Sequence, residues 1–259
     1  MKKVGLVLSG GGARGMAHIG ALKVFDDLGI KFSAISGCSI GAVIGAFYAA
    51  GKSGQEIENF VLNNKIYRNF DFSFSTLGVK NIAKLEKIML DFIGVDSFHK
   101  LNTPLYINAT NISKGKELVF KNGKLMEAIR ASISVPGVFS PIRIKEEYHI
   151  DGGVLNEVPF SILPEEIDHY IIVDVSPYQG LGDKQRINIV DVLQASIKIM
   201  QKQIFWEKLK NIPEEKYVLI SPQLNKYHLL ESERKFKDIL NTGRVSAISH
   251  KNEILNLFK

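Results

Sequence analysis

The pentapeptide Gly37-Cys38-Ser39-Ile40-Gly41 fits Gly-x-Ser-x-Gly and stands where a short apolar run, Phe32 to Ser36, gives way to a small-residue helical stretch, Ile40 to Ala50. A serine at such a junction sits on a tight, strained turn that lifts its hydroxyl clear of the sheet, and the flanking glycines keep side chains out of the space beneath it. That is the place for a nucleophile. Gly and Ser are common, so the pentapeptide gains its weight from what surrounds it.

A second strand, loop and helix opens the chain. Val4-Gly5-Leu6-Val7-Leu8 reads as a buried strand, Ser9-Gly10-Gly11-Gly12-Ala13-Arg14-Gly15 as its loop, and Met16 to Leu28 as a helix stopped by Gly29. Three successive glycines let backbone amides turn toward one point, and the helix start adds positive field there. Such a loop wants an anion. It is either a nucleotide phosphate or the oxyanion formed when a serine attacks an ester.

The third element is Tyr148-His149-Ile150-Asp151-Gly152-Gly153, which places a carboxylate at the end of a short strand, 112 residues after Ser39. In this order, the glycine loop, the serine elbow and the Asp-Gly-Gly resemble the patatin-like phospholipase family. Ala131 to Pro141 is similar to that family's block ahead of the aspartate, and Val154 to Pro159 to its continuation. The resemblance covers most of residues 4 to 180. Beyond about Pro177 it thins to a general likeness to bacterial patatin-like esterases.

The resemblance implies a three-layer α/β/α sandwich with a mostly parallel central sheet. It also implies a Ser-Asp dyad: Ser39 as nucleophile, Asp151 as its base, and the amides of Gly10, Gly11 and Gly12 as oxyanion donors. The activity implied is hydrolysis of carboxylic esters of lipids, of the phospholipase A or lysophospholipase type. General esterase, thioesterase or acyltransferase chemistry on the same dyad remains open.

Several residues carry two readings. Arg14, inside the glycine loop, either forks onto a substrate phosphate or pairs with a carboxylate or backbone carbonyls to hold the loop in shape. His149 shares a strand face with Asp151 but reads as structural, as does His18. Cys38 reads as a small buried filler. None of the six histidines sits in a segment resembling a triad's histidine loop, and no His/Cys cluster has metal-ligand spacing, so no metal or cofactor is expected.

With 259 residues and 45% apolar content, the chain has enough material for one large core. Residues 1–259 read as one domain, with the core at 4–180 and a C-terminal strand and helices at 181–259. A lone cysteine excludes an internal disulfide. No apolar run approaches the ~20 residues that span a bilayer, so a cytoplasmic protein is expected. The net charge of +6 suits peripheral contact with an anionic membrane surface. Lysines are spread along the chain instead of clustering into a stripe with interleaved aromatics, and no nucleic-acid motif appears, so nucleic acid is not an expected partner.

Two stretches invite a lipid reading, and both default to core packing. Ile66 to Val79 with the helical Asn81 to Phe92 is a candidate lid. Ile189 to Leu209 spaces Val192, Ala195, Ile199, Gln203 and Trp206 helically. The remaining strands are expected at Thr103 to Asn111, Glu117 to Phe120, His169 to Ser176 and Tyr217 to Ser221. Helices are expected at Lys124 to Ser132 and from Glu231 to Phe258, the last interrupted near Gly243. The site should lie at the carboxyl ends of parallel strands. The competing class is a Rossmann-like nucleotide binder, which needs an acidic residue at the end of the second strand; that strand ends at Ser36-Gly37.

Overall fold

Five short strands carry the parallel part of the sheet: β1 (Val4–Leu8), β2 (Ala34–Gly37), β3 (Leu105–Asn111), β7 (His169–Val173) and β8 (Tyr217–Ile220). In this computed structural model, which describes residues 2–63, 78–176, 187–227 and 231–259, they lie in the order β3-β2-β1-β7-β8. β4 (Lys116–Phe120), β5 (Ile142–Ile144) and β6 (Glu147–Asp151) add antiparallel pairs around β3. The result is a mixed, mostly parallel eight-stranded sheet with helices on both faces.

β1 is buried at every position because both faces are covered, which is why it reads as a continuous apolar run without alternation. Val4, Leu6 and Leu8 face the larger core, built with α1 (Met16–Asp27), α2 (Ile40–Ala49) and α3 (Gly54–Asn63). Val7 faces a smaller core with Val158, Phe160 and Ile172. α4 (Gly78–Ile93) caps the larger core, with Leu85, Met89 and Ile93 buried and Phe92 stacked on Phe60 at 3.8 Å. The described part of the candidate lid is therefore core packing; residues 64–77 lie outside the described residues.

After α5 (Leu125–Ser132) and the short α6 (Gly153–Asn156), the 21-residue α7 (Ile189–Leu209) crosses the smaller core, to which it contributes Phe205 and Leu209. α8 (Phe236–Ser249) and α9 (Lys251–Asn256) close the chain. Gly243 does not interrupt α8, contrary to the expectation. A Cβ there would lie 2.1 Å from the Ala17 carbonyl oxygen, and one at Gly20 would lie 2.0 Å from that of Leu240. The two glycines let α1 and α8 touch backbone to backbone, and the chain breaks later, at His250. Among the described residues, no helix is long and apolar enough to cross a membrane.

Strand register creates a seam. Ile107 of β3 pairs with Gly37 of β2 and with Phe120 of β4, so those two strands occupy opposite edges of β3. Ala109 to Asn111 pair with both β4 and β6, so those two are also opposed. β2 and β6 therefore share one edge of β3. β2 runs up it and stops at Gly37, opposite Ile107, while β6 runs down it and stops at Asp151, opposite Ala109. Only Asn108 of β3 lies between those two positions, a two-residue step of roughly 7 Å. The expected site, at the carboxyl ends of strands, is thus met differently for Asp151: its strand is antiparallel and arrives head-on.

Candidate active site

Ser39 occupies the turn between β2 and α2 with φ 52° and ψ −122°, a left-handed conformation that costs a non-glycine residue on the order of 1–3 kcal/mol. Close backbone packing holds it there. A Cβ at Gly37 would lie 2.4 Å from the Gly41 carbonyl oxygen, and one at Gly41 would lie 2.2 Å from that of Leu8. The Ser39 amide donates to Ser132 Oγ at 2.8 Å, and the Cys38 amide to the Leu8 carbonyl at 3.1 Å. Although Ser39 precedes α2, its hydroxyl does not cap the helix. It lies instead against the Asp151 carboxylate, where it favours the ionised form.

Asp151 is buried at the end of β6, its amide donating to the Ser134 carbonyl at 2.9 Å. Its Oδ1 accepts the Gly153 amide at 2.7 Å and faces the Cys38 thiol at 3.7 Å. Burial lifts its pKa to about 6, against the Ser39 hydroxyl and the Gly153 amide, which favour the charge. Glu157 pushes it further up and Lys198 pulls it down. A carboxylate so placed is ionised at neutral pH and yet a better proton acceptor than an exposed aspartate. Cys38 is buried, and burial pushes its thiol up, so it is inert filler.

The glycine loop flanks the elbow. A Cβ at Gly10 would lie 3.6 Å from Ser39 Cβ and 3.3 Å from Glu157 Cγ. The Gly10 N–H, however, is donated to the Glu157 carbonyl at 3.0 Å. Among the described residues, the amides of Gly11 and Gly12 have no acceptor. Gly12 has φ 56°, and Gly11 has no room for a side chain, since a Cβ would lie 2.7 Å from Val175 Cγ2. The hydroxyl of Ser9 accepts the Val175 amide at 2.8 Å, and its carbonyl is hydrogen-bonded to His18 Nε2 at 2.9 Å. Burial lowers His18 to about 4, so the ring is neutral and Nε2–H is the donor. His18 is thus structural. His149 bonds through Nδ1 to the Glu147 carbonyl of its own strand at 3.1 Å. Arg14 donates Nε–H to the Tyr227 carbonyl at 3.0 Å, with Glu157 and Asp174 as its charged neighbours.

Sequence reasoning missed what α7 brings. Lys198 pairs with Glu157, Gln201 donates to the Gly153 carbonyl at 2.6 Å, and Lys202 pairs with Asp174 at 2.5 Å. Burial alone would raise Asp174, but Lys202 and the Ser176 amide and hydroxyl hold it below the ordinary carboxylate range. Glu157 is buried, and its second oxygen has no hydrogen-bond partner among the described residues. One signal was available: Glu157 is the single charge in the stretch Val154 to Leu163.

The sequence pattern of patatin-like phospholipases matches residues 6–164, which span the glycine loop, the elbow, the seam and Glu157. The chain belongs to the patatin-like phospholipase family. An uncharacterised NTE family protein of Mycobacterium bovis is 35% identical over 161 residues, covering 61% of this chain and 45% of that protein. Lysophospholipase NTE1 of Cryptococcus neoformans is 30% identical over 191 residues, covering 67% of this chain and 11% of that protein. The chain thus spans less than half the length of these relatives. The crystal structure of VipD from Legionella pneumophila shares the fold, with a TM-score of 0.57 at 13% identity over 96% of this chain and 66% of that one. Patatin-like membership accounts for the layered sheet and for the order of the three motifs along the chain.

Proposed function

We propose that this chain is a serine acyl hydrolase that cleaves carboxylic esters of lipids through a Ser39-Asp151 dyad, in the manner of a phospholipase A or lysophospholipase. The observation that carries the reading is the seam in the sheet, where two strand tips on one edge of β3 bring the elbow hydroxyl against a buried carboxylate. Asp151 takes the Ser39 proton as Oγ bonds to the ester carbonyl carbon. The tetrahedral oxyanion is received by the amides of Gly11 and Gly12, while Gly10, its N–H already engaged, shapes the loop. Collapse breaks the ester C–O bond, and the departing alcohol takes the proton from Asp151. Water then attacks the acyl-serine, Asp151 accepts its proton, and the fatty acid leaves as Ser39 regains its hydrogen.

Arg14 is assigned to loop architecture on the strength of its bond to the Tyr227 carbonyl. Arg14→Ala should then impair phospholipid and neutral p-nitrophenyl esters alike; a loss confined to phospholipids would assign it to the headgroup. The deciding experiment for the dyad pairs a fluorophosphonate probe with a lipid panel read as free fatty acid release. Wild type should label and release acid, and Ser39→Ala should do neither while keeping its fold, with a rate loss on the order of a thousandfold or more. Full activity in Ser39→Ala would remove Ser39 from the mechanism. Activity confined to thioesters, or acyl transfer to an acceptor other than water, would keep the dyad and change the substrate.

A further inference from the structure

The outer side of α7 is the wrong way out for a helix on a water-facing surface. Ile189 is 71% exposed, Leu193 and Met200 56% each, and Ile199 50%, with Val192 and Ile197 exposed beside them. Positions 189, 193, 196 and 200 recur at helical spacing, so these side chains form one stripe in which Ser196 is the polar member. Between Val192 and Met200, the exposed side chains among the described residues carry no charge. The opposite side holds the polar groups, with Lys198 on Glu157, Gln201 on the Gly153 carbonyl and Lys202 on Asp174. An amphipathic helix covering a sheet shows the reverse arrangement. The expectation that Val192, Ile199 and Trp206 pack into the core is therefore overturned; the buried side of the helix runs through Phe205 and Leu209.

We propose that this outer face of α7 docks on the surface of an anionic lipid bilayer, while its inner face, tied to Gly153 and Glu157, fixes the catalytic loops relative to that surface. The proposal rests on the lipid acyl hydrolase reading and adds where the lipid surface is met. Charge favours a bilayer over a second copy of the chain: at net +6, two copies repel, whereas anionic headgroups attract. An uncharged apolar stripe suits insertion at the boundary between headgroups and acyl chains. Trp206, 48% exposed, lies at the edge of the stripe, the position an amphipathic ring takes at a membrane interface.

The test uses Leu193→Ser combined with Met200→Ser, in the active chain and on a Ser39→Ala background, with vesicles of phosphatidylcholine and phosphatidylglycerol. The Ser39→Ala chain should co-sediment with vesicles, and the triple variant should bind about tenfold or more weakly. In the active chain, the double variant should lose release of fatty acid from vesicles but keep its hydrolysis of a soluble p-nitrophenyl ester. Equal vesicle binding with and without the two substitutions overturns the proposal, as does a parent chain that does not bind. A dimer in light scattering that the double variant converts to monomer, without vesicle affinity, assigns the face to a second copy and overturns it equally. Sedimentation needs no turnover. Vesicle binding that depends on Leu193 and Met200 in a chain that hydrolyses no ester would sink the hydrolase reading and leave the docking face standing.

Discussion

Two opposite charges bear on Asp151 from outside the dyad, and they make opposite predictions. Glu157, repelling a second negative charge, raises the proton affinity of Asp151, and Lys198, paired to Glu157, lowers it. The proposed dyad needs Asp151 ionised to accept the serine proton, so kcat/KM should rise with pH through about 6. Lys198→Met leaves Glu157 uncompensated and should move that acid limb to higher pH, giving a several-fold loss near about pH 5 and a small one near about pH 8. Glu157→Gln should move the limb the other way. The check is a kcat/KM profile on a neutral soluble ester, since a merely structural defect would lower the whole profile without displacing it. Limbs that coincide in all three proteins would remove Glu157 and Lys198 from the tuning of the base.

At the scale of elements, β5 and β6 show what local sequence conceals. Ile144 pairs with Glu147, so the hairpin loop is two residues, Lys145 and Glu146, with φ 47° and 65°. Those angles belong to a type I′ turn, whose sequence signal is Asn-Gly or Asp-Gly. Lys-Glu carries none of that signal, which is why β5 went unread while β6 was visible through its Asp-Gly-Gly end. Lys145→Asn with Glu146→Gly should relieve the strain and stabilise the chain by about 1 kcal/mol, measured by urea unfolding, with ester hydrolysis unchanged. The exposed pair of Glu146 with Arg143, which the change removes, contributes little. An unfolding midpoint that stays or falls would mean the turn is held by something other than its backbone preference.

The same contrast runs through the rest of the chain. β1 and the elbow were legible because apolar runs end at glycines that must make close backbone contacts, and that is local information. The proposed dyad was legible only through the order of three motifs. The seam that joins Ser39 to Asp151 depends on which edge of β3 each strand takes, a long-range choice that no short window contains. Gly243 was misread because a helix-packing glycine looks the same in sequence as a helix-stopping one. The inner face of α7 was hidden by its polarity: lysines and a glutamine at helical spacing name no partner until the carboxylates and the carbonyl they meet are in place.

At the scale of the whole molecule, two buried groups oppose each other in the pH dependence of folding. Asp151 has a folded pKa of about 6, raised from 3.8, so its contribution is fully present below about pH 4 and is lost as pH rises through 6. His18, lowered from 6.5 to about 4, contributes the reverse, and its share is lost as pH falls through 4. Each shift corresponds to about 3 kcal/mol, and the two windows nearly coincide, so these terms cancel in the wild type between about pH 4 and pH 6.5. Single variants expose them. Asp151→Asn keeps an acceptor for the Gly153 amide and removes a buried charge, so it should be more stable than wild type near about pH 7, with the gap closing toward about pH 4. His18→Gln keeps a donor for the Ser9 carbonyl, and its stability relative to wild type should increase as the solution is acidified over the same range. Urea unfolding across that range reads both differences. If the two run in the same direction with pH, then either Asp151 is not held above its ordinary range or His18 is not held below its own. A low-lying Asp151 would also take away the proton affinity on which a base for Ser39 depends, joining the stability experiment to the catalytic one.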